Sequence, residues 1–536
     1  MSENRQRRAA TVVHSWGVDT DLDPSVAYAA CAARDTRWDG RVYLGVTSTG
    51  VYCRPSCPAR MPRPENCRFF VTAASAATAG FRACRRCRPD ALPGHRDLDA
   101  STQLVDRALR AIRDGVVDEV GVDGLAARLG VTPRHLHRLV VGELGTSPVR
   151  LARTRRAQAA RMLLEQTALP VADVAFAAGF GSIRQCNEVL RAELGASPIE
   201  IRARASRGAR PEAESEGRRP AAGVQVALRL PVRRPFDGPR LADAIAVHAI
   251  AGVETAGRGG AVEEAWARAT LPAPGSTAFV GVDLAELPPA TTGAGSGPWA
   301  GDRAAVPVQV RVASLADLTP VVAAVRRWLD LDADPGAVAS RLRPDPRLVP
   351  LVDRRPGLRV LGSLDPFRTL TAAILGQQIS LAATRTFTSR LAAAFGDPTQ
   401  IAEGALAFPR PERLAEAGPE AIREAVRIPA ARARTLHAAA EAVAGGLDLG
   451  PEVDRDAVRA ALLDVPGIGP WTCDLMAVRA LGDPDALPPG DLVLRRALAG
   501  PAGRPSPDDV VALAEAWRPW RAYATTHLWT DDLESR

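Results

Sequence analysis

The sequence predicts a multidomain α+β chain. Its parts are a small Zn(Cys)4 α/β domain, an all-α double helix–turn–helix, and a large unit with an N-terminal β-sheet subdomain and an α-helical helix–hairpin–helix core. Three observations predict this. Cys53, Cys57, Cys84 and Cys87 fall as CxxxC and CxxC. The stretch "ELGTSP" at 143–148 returns as "ELGASP" at 193–198. "VPGIG" at 465–469 is followed, twenty-two residues beyond Gly469, by Asp491. A chain of 536 residues is too long for one core, and 46% hydrophobic with 24% charged residues is a globular composition. No apolar run approaches a membrane span.

The N-terminal "MSENRQRRAATVVHSWG" has basic residues but no apolar stretch behind them, which argues against a secretory signal. A cytoplasmic, nucleoid-associated protein is therefore expected, and structural disulfides are rare in the cytoplasm. CxxxC and CxxC give the ligand number and pairing of a tetrahedral Zn2+ site. For four cysteines in general a structural role is the default. The charge around them suggests more. Residues 41–90 hold nine arginines against Glu65 and Asp90, an excess equal to the formal +7 of the whole chain. Such a concentration suits a polyanion, most simply nucleic acid, or else a solvated arginine face. Cys67 lies outside the pairing and reads as packing.

"GVTSTGVYCRPSCPAR" and "AGFRACRRCRPD" resemble the N-terminal domain of bacterial Ada proteins, over roughly residues 25–92. The resemblance implies that Cys53 accepts a methyl group irreversibly from methylated backbone phosphates, with Cys57, Cys84 and Cys87 completing the zinc shell.

"VDGLAARLGVTPRHLHRLV" and "VADVAFAAGFGSIRQCNEVL" each read as helix, tight turn and second helix. Gly130 and Gly179 mark the turns, and Thr132 (ahead of Pro133) and Ser182 the caps. The second helices would expose Arg134, His135, His137 and Arg138, then Arg184, Gln185 and Asn187, suited to base edges in the major groove. A generic helical hairpin is the plainer reading of one unit; duplication weakens it. Residues 101–205 resemble the DNA-binding region of AraC-type regulators, with Cys186 at a core position.

Residues 206–220, "SRGARPEAESEGRRP", are charged, lack apolar periodicity and read as a linker. "VQVALRL" (224–230) and "VPVQVRV" (306–312) alternate as strands do. The sheet subdomain is placed at 221–340, and an alanine- and leucine-rich helical region at 341–536.

The glycines of "VPGIG", Gly467 and Gly469, allow a tight bend whose N–H groups can meet a phosphate. Asp491 could cap the helix "LVLRRAL". Hairpin plus aspartate, with "AILGQQIS" at 373–380 and "WRPWRAYATTHLW" at 517–529, resembles the AlkA-type alkylpurine glycosylases. The resemblance implies a flipped base, with Asp491 stabilising the sugar cation. Trp471 and Trp529 would wall the base pocket, and Gln378 would fill the gap left in the duplex. Leu475 and Leu492 stand where the best-known members carry tyrosine.

The chain contains no lysine, and Trp471 occupies the position where strand-nicking relatives carry one, so a monofunctional enzyme is expected. The Pro-Cys-His-Arg acceptor of O6-alkylguanine methyltransferases is absent, and no O6-methylguanine repair is expected. The reading is a zinc-dependent phosphotriester sensor and transcription activator fused to a 3-methyladenine-type glycosylase. Its expected partners are alkylated and promoter double-stranded DNA and RNA polymerase. It is expected to act as a monomer, off the membrane. Two alternatives remain open: a regulator whose C-terminal unit only binds DNA, and a glycosylase whose zinc module is a structural finger.

Overall fold

The computed structural model describes residues 23–35, 38–87, 89, 104–208, 223–259, 264–285, 287, 303–450, 452–501 and 503–535. Most of the stretch read as a linker lies outside the described residues, although the helix Pro198–Gly208 runs into its start.

The first unit is a four-stranded sheet of order β3-β1-β2-β4. Its strands are β1 (Tyr43–Val46), β2 (Val51–Cys53), β3 (Cys67–Phe70) and β4 (Arg82–Ala83). β1 pairs antiparallel with β2 and β3, and β2 pairs parallel with β4. β2, which ends on Cys53, therefore lies beside β4, which leads directly into Cys84.

Helices follow. The first reading unit joins the helix Val116–Arg128 to Pro133–Leu144, and the second joins Val171–Ala177 to Ile183–Leu194. The turns use Gly130 and Gly179 at φ +71° and +87°, a region that favours glycine. The Thr132 hydroxyl accepts from His135 N–H, and the Ser182 hydroxyl from Gln185 N–H. Both second helices end on a left-handed glycine, Gly145 and Gly195, so the repeated "ELG" is a helix stop.

The large unit begins with an antiparallel five-stranded sheet, order β5-β9-β8-β7-β6. Its strands are β5 (Val224–Arg233), β6 (Glu254–Arg258), β7 (Ala265–Ala273), β8 (Ser276–Asp283) and β9 (Arg303–Val312). The two stretches with alternating apolar residues are β5 and β9, paired in register from Val224↔Val312 to Arg233↔Arg303. Val226, Leu228, Leu230 and Val232 share their buried face with Val306, Val308, Val310 and Val312. The rest is helical, and Arg455–Leu463 and Pro470–Arg479 form the hairpin pair.

The core does not stop at the boundary between reading heads and sheet. Leu163, Val174, Phe180, Cys186 and Leu190 belong to the same apolar cluster as Leu228, Val308 and Trp328. No helix among the described residues is long and apolar enough to cross a membrane.

Candidate functional site

The thiol cluster is assembled by strand pairing. Cys53 ends β2 opposite Leu44 of β1, and Cys84 follows β4, its N–H donating to Tyr52 O at 2.9 Å. The sulfurs of Cys53, Cys57, Cys84 and Cys87 all lie within 4.8 Å of one another. Tetrahedral Zn–S bonds of about 2.3 Å require sulfurs about 3.8 Å apart, so the donor set fits Zn2+. The four thiols also act strongly on one another. Cys84 is held far below the ordinary thiol range by hydrogen bonding from Cys53, Cys57 and Cys87, and Cys57 is lowered to about 7, chiefly by Cys53. Cys53 is pushed up by the same neighbours, Cys57 first, and then by burial. Four thiolates packed this closely repel one another, and a divalent cation among them offsets that repulsion.

Asp39 shapes the loop between the first two cysteines. Its carboxylate, only 5% exposed, accepts from Arg54 Nη1 (3.0 Å), Ser56 N (3.0 Å) and Ser56 Oγ (2.6 Å). No spacing rule pointed to it, because its partners lie 15 and 17 residues away. Cys67 sits apart on β3, its sulfur 3.3 Å from Arg63 O. Arg82, Arg85 and Arg86 are exposed beside Cys84.

On the reading helices, Arg134, His137 and Arg138 are exposed, and His135 is half-buried with its Nδ1 2.9 Å from Arg138 Nη2. Arg184 pairs with Glu188 at 2.9 Å, and Gln185 accepts from Gly181 N–H at 3.0 Å. Asn187 donates to Ile183 O. Cys186 is fully buried.

The structure brings Asp491, Trp471 and Trp529 together. Asp491 is 7% exposed, and its Oδ1 caps the helix Leu492–Ala497 by accepting from Leu494 N–H at 2.8 Å. The capping role suggested by sequence is thus real. It coexists with a second set of contacts: Trp471 Nε1 donates to Oδ2 at 2.8 Å, and Trp529 Nε1 to Oδ1 at 2.9 Å. Both tryptophans are half-buried and turn their N–H edges to the carboxylate. Leu492 is 63% exposed beside Asp491, and Leu475 is half-buried one turn beyond Trp471.

In the hairpin Gly467 has φ +90°, and a Cβ there would stand 2.0 Å from Thr435 Oγ1. A Cβ on Gly469 would meet nothing within 4 Å, leaving this backbone open to a large ligand. Gln378 is exposed and left-handed at φ +57°. Cys473 is buried in the helix after the hairpin, remote in sequence from the thiol cluster.

Known protein families match the chain segment by segment in the same order. Residues 26–90 match the metal binding domain of Ada, and 125–204 a helix-turn-helix domain. Residues 227–365 match the AlkA N-terminal domain, and 371–521 the HhH-GPD superfamily of base excision DNA repair proteins. A "probable bifunctional transcriptional activator/DNA repair enzyme AlkA" of Mycobacterium tuberculosis is 43% identical over 511 residues, 94% of this chain and 95% of the relative. The chain belongs to this bifunctional activator/DNA repair family.

Its parts are also found separately. The DNA-3-methyladenine glycosylase 2 of Escherichia coli is 34% identical over 40% of this chain and 74% of its own length. The bifunctional activator/repair enzyme Ada of the same organism is 30% identical over 32% of this chain and 48% of its own length. As a member of the activator/repair family the chain is a DNA-binding DNA repair protein, and Zn2+ is its metal.

Proposed function

We propose that the chain performs two repairs and one act of regulation. The Cys53 thiolate attacks the methyl carbon of a DNA methylphosphotriester. The methyl C–O bond breaks, an S–C bond forms, and the phosphate leaves as an ordinary diester anion. Zn2+ bound by Cys53, Cys57, Cys84 and Cys87 would keep the sulfurs deprotonated at neutral pH. Four thiolates and one Zn2+ carry a net charge of −2, and alkylating one sulfur leaves −1. Loss of a negative charge beside Arg82, Arg85 and Arg86 strengthens DNA binding, because phosphate contacts dominate such affinity. The helices carrying Arg134, His135 and Arg138, then Arg184 and Gln185, read promoter DNA, and the bound monomer recruits RNA polymerase.

The second repair is hydrolytic release of alkylated bases such as 3-methyladenine. Gly467 and Gly469 grip the backbone, Gln378 fills the gap, and the base enters beside Trp471 and Trp529, where an electron-poor ring stacks on indole. The glycosidic bonding pair leaves with the base and neutralises its positive charge. Asp491 stabilises the sugar cation, and water adds to the cation's anomeric carbon and releases its proton to solvent. With Trp471 in place of an amine and no lysine in the chain, no Schiff base forms and the strand is not nicked.

One observation carries the excision half: a buried carboxylate held by two indole N–H groups and a helix N-terminus, with each oxygen fixed in place. Asp491→Asn keeps the shape and loses the charge. Base release from methylated duplex should fall by about a hundredfold or more; release at the wild-type rate would reduce the C-terminal unit to a DNA-binding one.

A further inference from the structure

The turn between the helices Pro366–Leu375 and Leu381–Phe395 carries two adjacent glutamines with opposite fates. Gln378 is exposed and left-handed. Gln377 is half-buried, and its side-chain amide donates from Nε2 to Gly467 O at 3.1 Å and to Thr472 Oγ1 at 3.1 Å. One amide group thus joins this turn to the tightest point of the hairpin and to the residue after Trp471. The Gln377 carbonyl accepts from Arg432 Nη2 at 2.7 Å. Arg432 belongs to the helix Ala430–Ala444, whose Thr435 packs so closely on Gly467 that no side chain fits there. Three elements distant in sequence therefore meet at Gln377.

We propose that Gln377 is a positioning residue for base extrusion. It fixes the distance between the backbone grip at the hairpin and the side chain of Gln378, and does so before DNA arrives. A left-handed non-glycine residue is held only where its surroundings over-determine it, and the bonds of Gln377 supply that constraint from the neighbouring position. Without them the turn relaxes, Gln378 loses its register on the duplex, and extrusion suffers while the chemistry at Asp491 does not. The proposal rests on the glycosylase reading and on the role given to Gln378, and its test separates the three.

One methylated oligonucleotide is assayed as duplex and as single strand, where the base is already unpaired. Gln377→Ala and Gln377→Glu, the latter keeping the size and losing the N–H donor, should slow release from duplex on the order of tenfold. Release from single strand should change less than twofold. Equal slowing on both substrates, or none on either, would overturn the proposal. A second readout does not depend on cleavage: 2-aminopurine placed beside the methylated base brightens when its neighbour unstacks. Wild type should brighten it and Gln377→Ala should not, at equal DNA occupancy; equal brightening also overturns the proposal. If Gln378→Ala leaves duplex release unchanged, the role of Gln378 fails. If Asp491→Asn releases base as wild type does, the glycosylase reading fails.

Discussion

Asp491 accepts three N–H donors and has an exposed leucine next to it in sequence. The capping bond alone would have explained an aspartate at this position, and the position alone could not reveal that two indoles 20 and 38 residues away end on the same carboxylate. Trp529→Phe removes one donor and keeps most of the ring. Because hydrogen bonds to charged groups contribute about 1.5–3 kcal/mol, base release should fall roughly tenfold or more while affinity for undamaged duplex holds. Equal loss of both would place Trp529 in DNA binding instead.

His527 lies one turn before Asp531 and is 3% exposed. Burial, then the nearby Arg355 guanidinium, lowers its pKa to about 3. The folded ring stays neutral while an unfolded histidine takes up a proton below about 6.5. The stability it provides is therefore present above pH 6.5 and is lost as pH falls toward 3. Below pH 6.5 the melting temperature of wild type should fall more steeply than that of His527→Gln, by the equivalent of up to about 1.4 kcal/mol per pH unit. Parallel curves would show that this histidine carries no such linkage.

At the scale of elements, legibility follows the range of the determining interaction. Alternation in "VQVALRL" and "VPVQVRV" was readable because each strand buries every second side chain, and those two strands pair with each other. Gly130, Thr132, Gly179 and Ser182 were readable because turns and caps are settled within a few residues. The thiol cluster was readable because zinc demands a fixed ligand number. Asp39 and Gln377 were not: each acts through partners that the fold, not the local sequence, delivers. Gln185 shows the opposite limit. Its exposed position suggests a reader of bases, yet its side chain accepts from Gly181 N–H and braces its own turn, a bond that DNA would have to replace.

At the scale of the whole molecule, the reading heads and the repair unit are packed together. Gln166 pairs with both the N–H and the carbonyl of Arg229 on β5, an edge strand whose free groups need a partner. Thr319 Oγ1 donates to Ala177 O at the end of a reading-unit helix. Arg327 meets Asp114 at 2.8 Å, and Arg128 meets the buried Glu452 at 2.8 Å, just ahead of the hairpin helices. The sensor domain joins in through Thr78 with Thr146, Arg85 with Gly195 O, and Arg41 with Asp334. A shared apolar core does not come apart easily. Residues 1–208 and 223–536, co-expressed as separate chains, should therefore co-purify through gel filtration in about 0.5 M salt, which screens surface pairs and leaves apolar contacts. Separate elution would mean that covalent connection alone keeps them together.

The proposed function requires that a member of the bifunctional activator/DNA repair family take up a methyl group on a sulfur. The most direct measurement is intact-protein and peptide mass spectrometry after incubation with methylated duplex DNA. A single added methyl is expected, confined to the peptide carrying Cys53, and none in Cys53→Ala. An unchanged mass with zinc still bound, or a methyl on another cysteine, would contradict it.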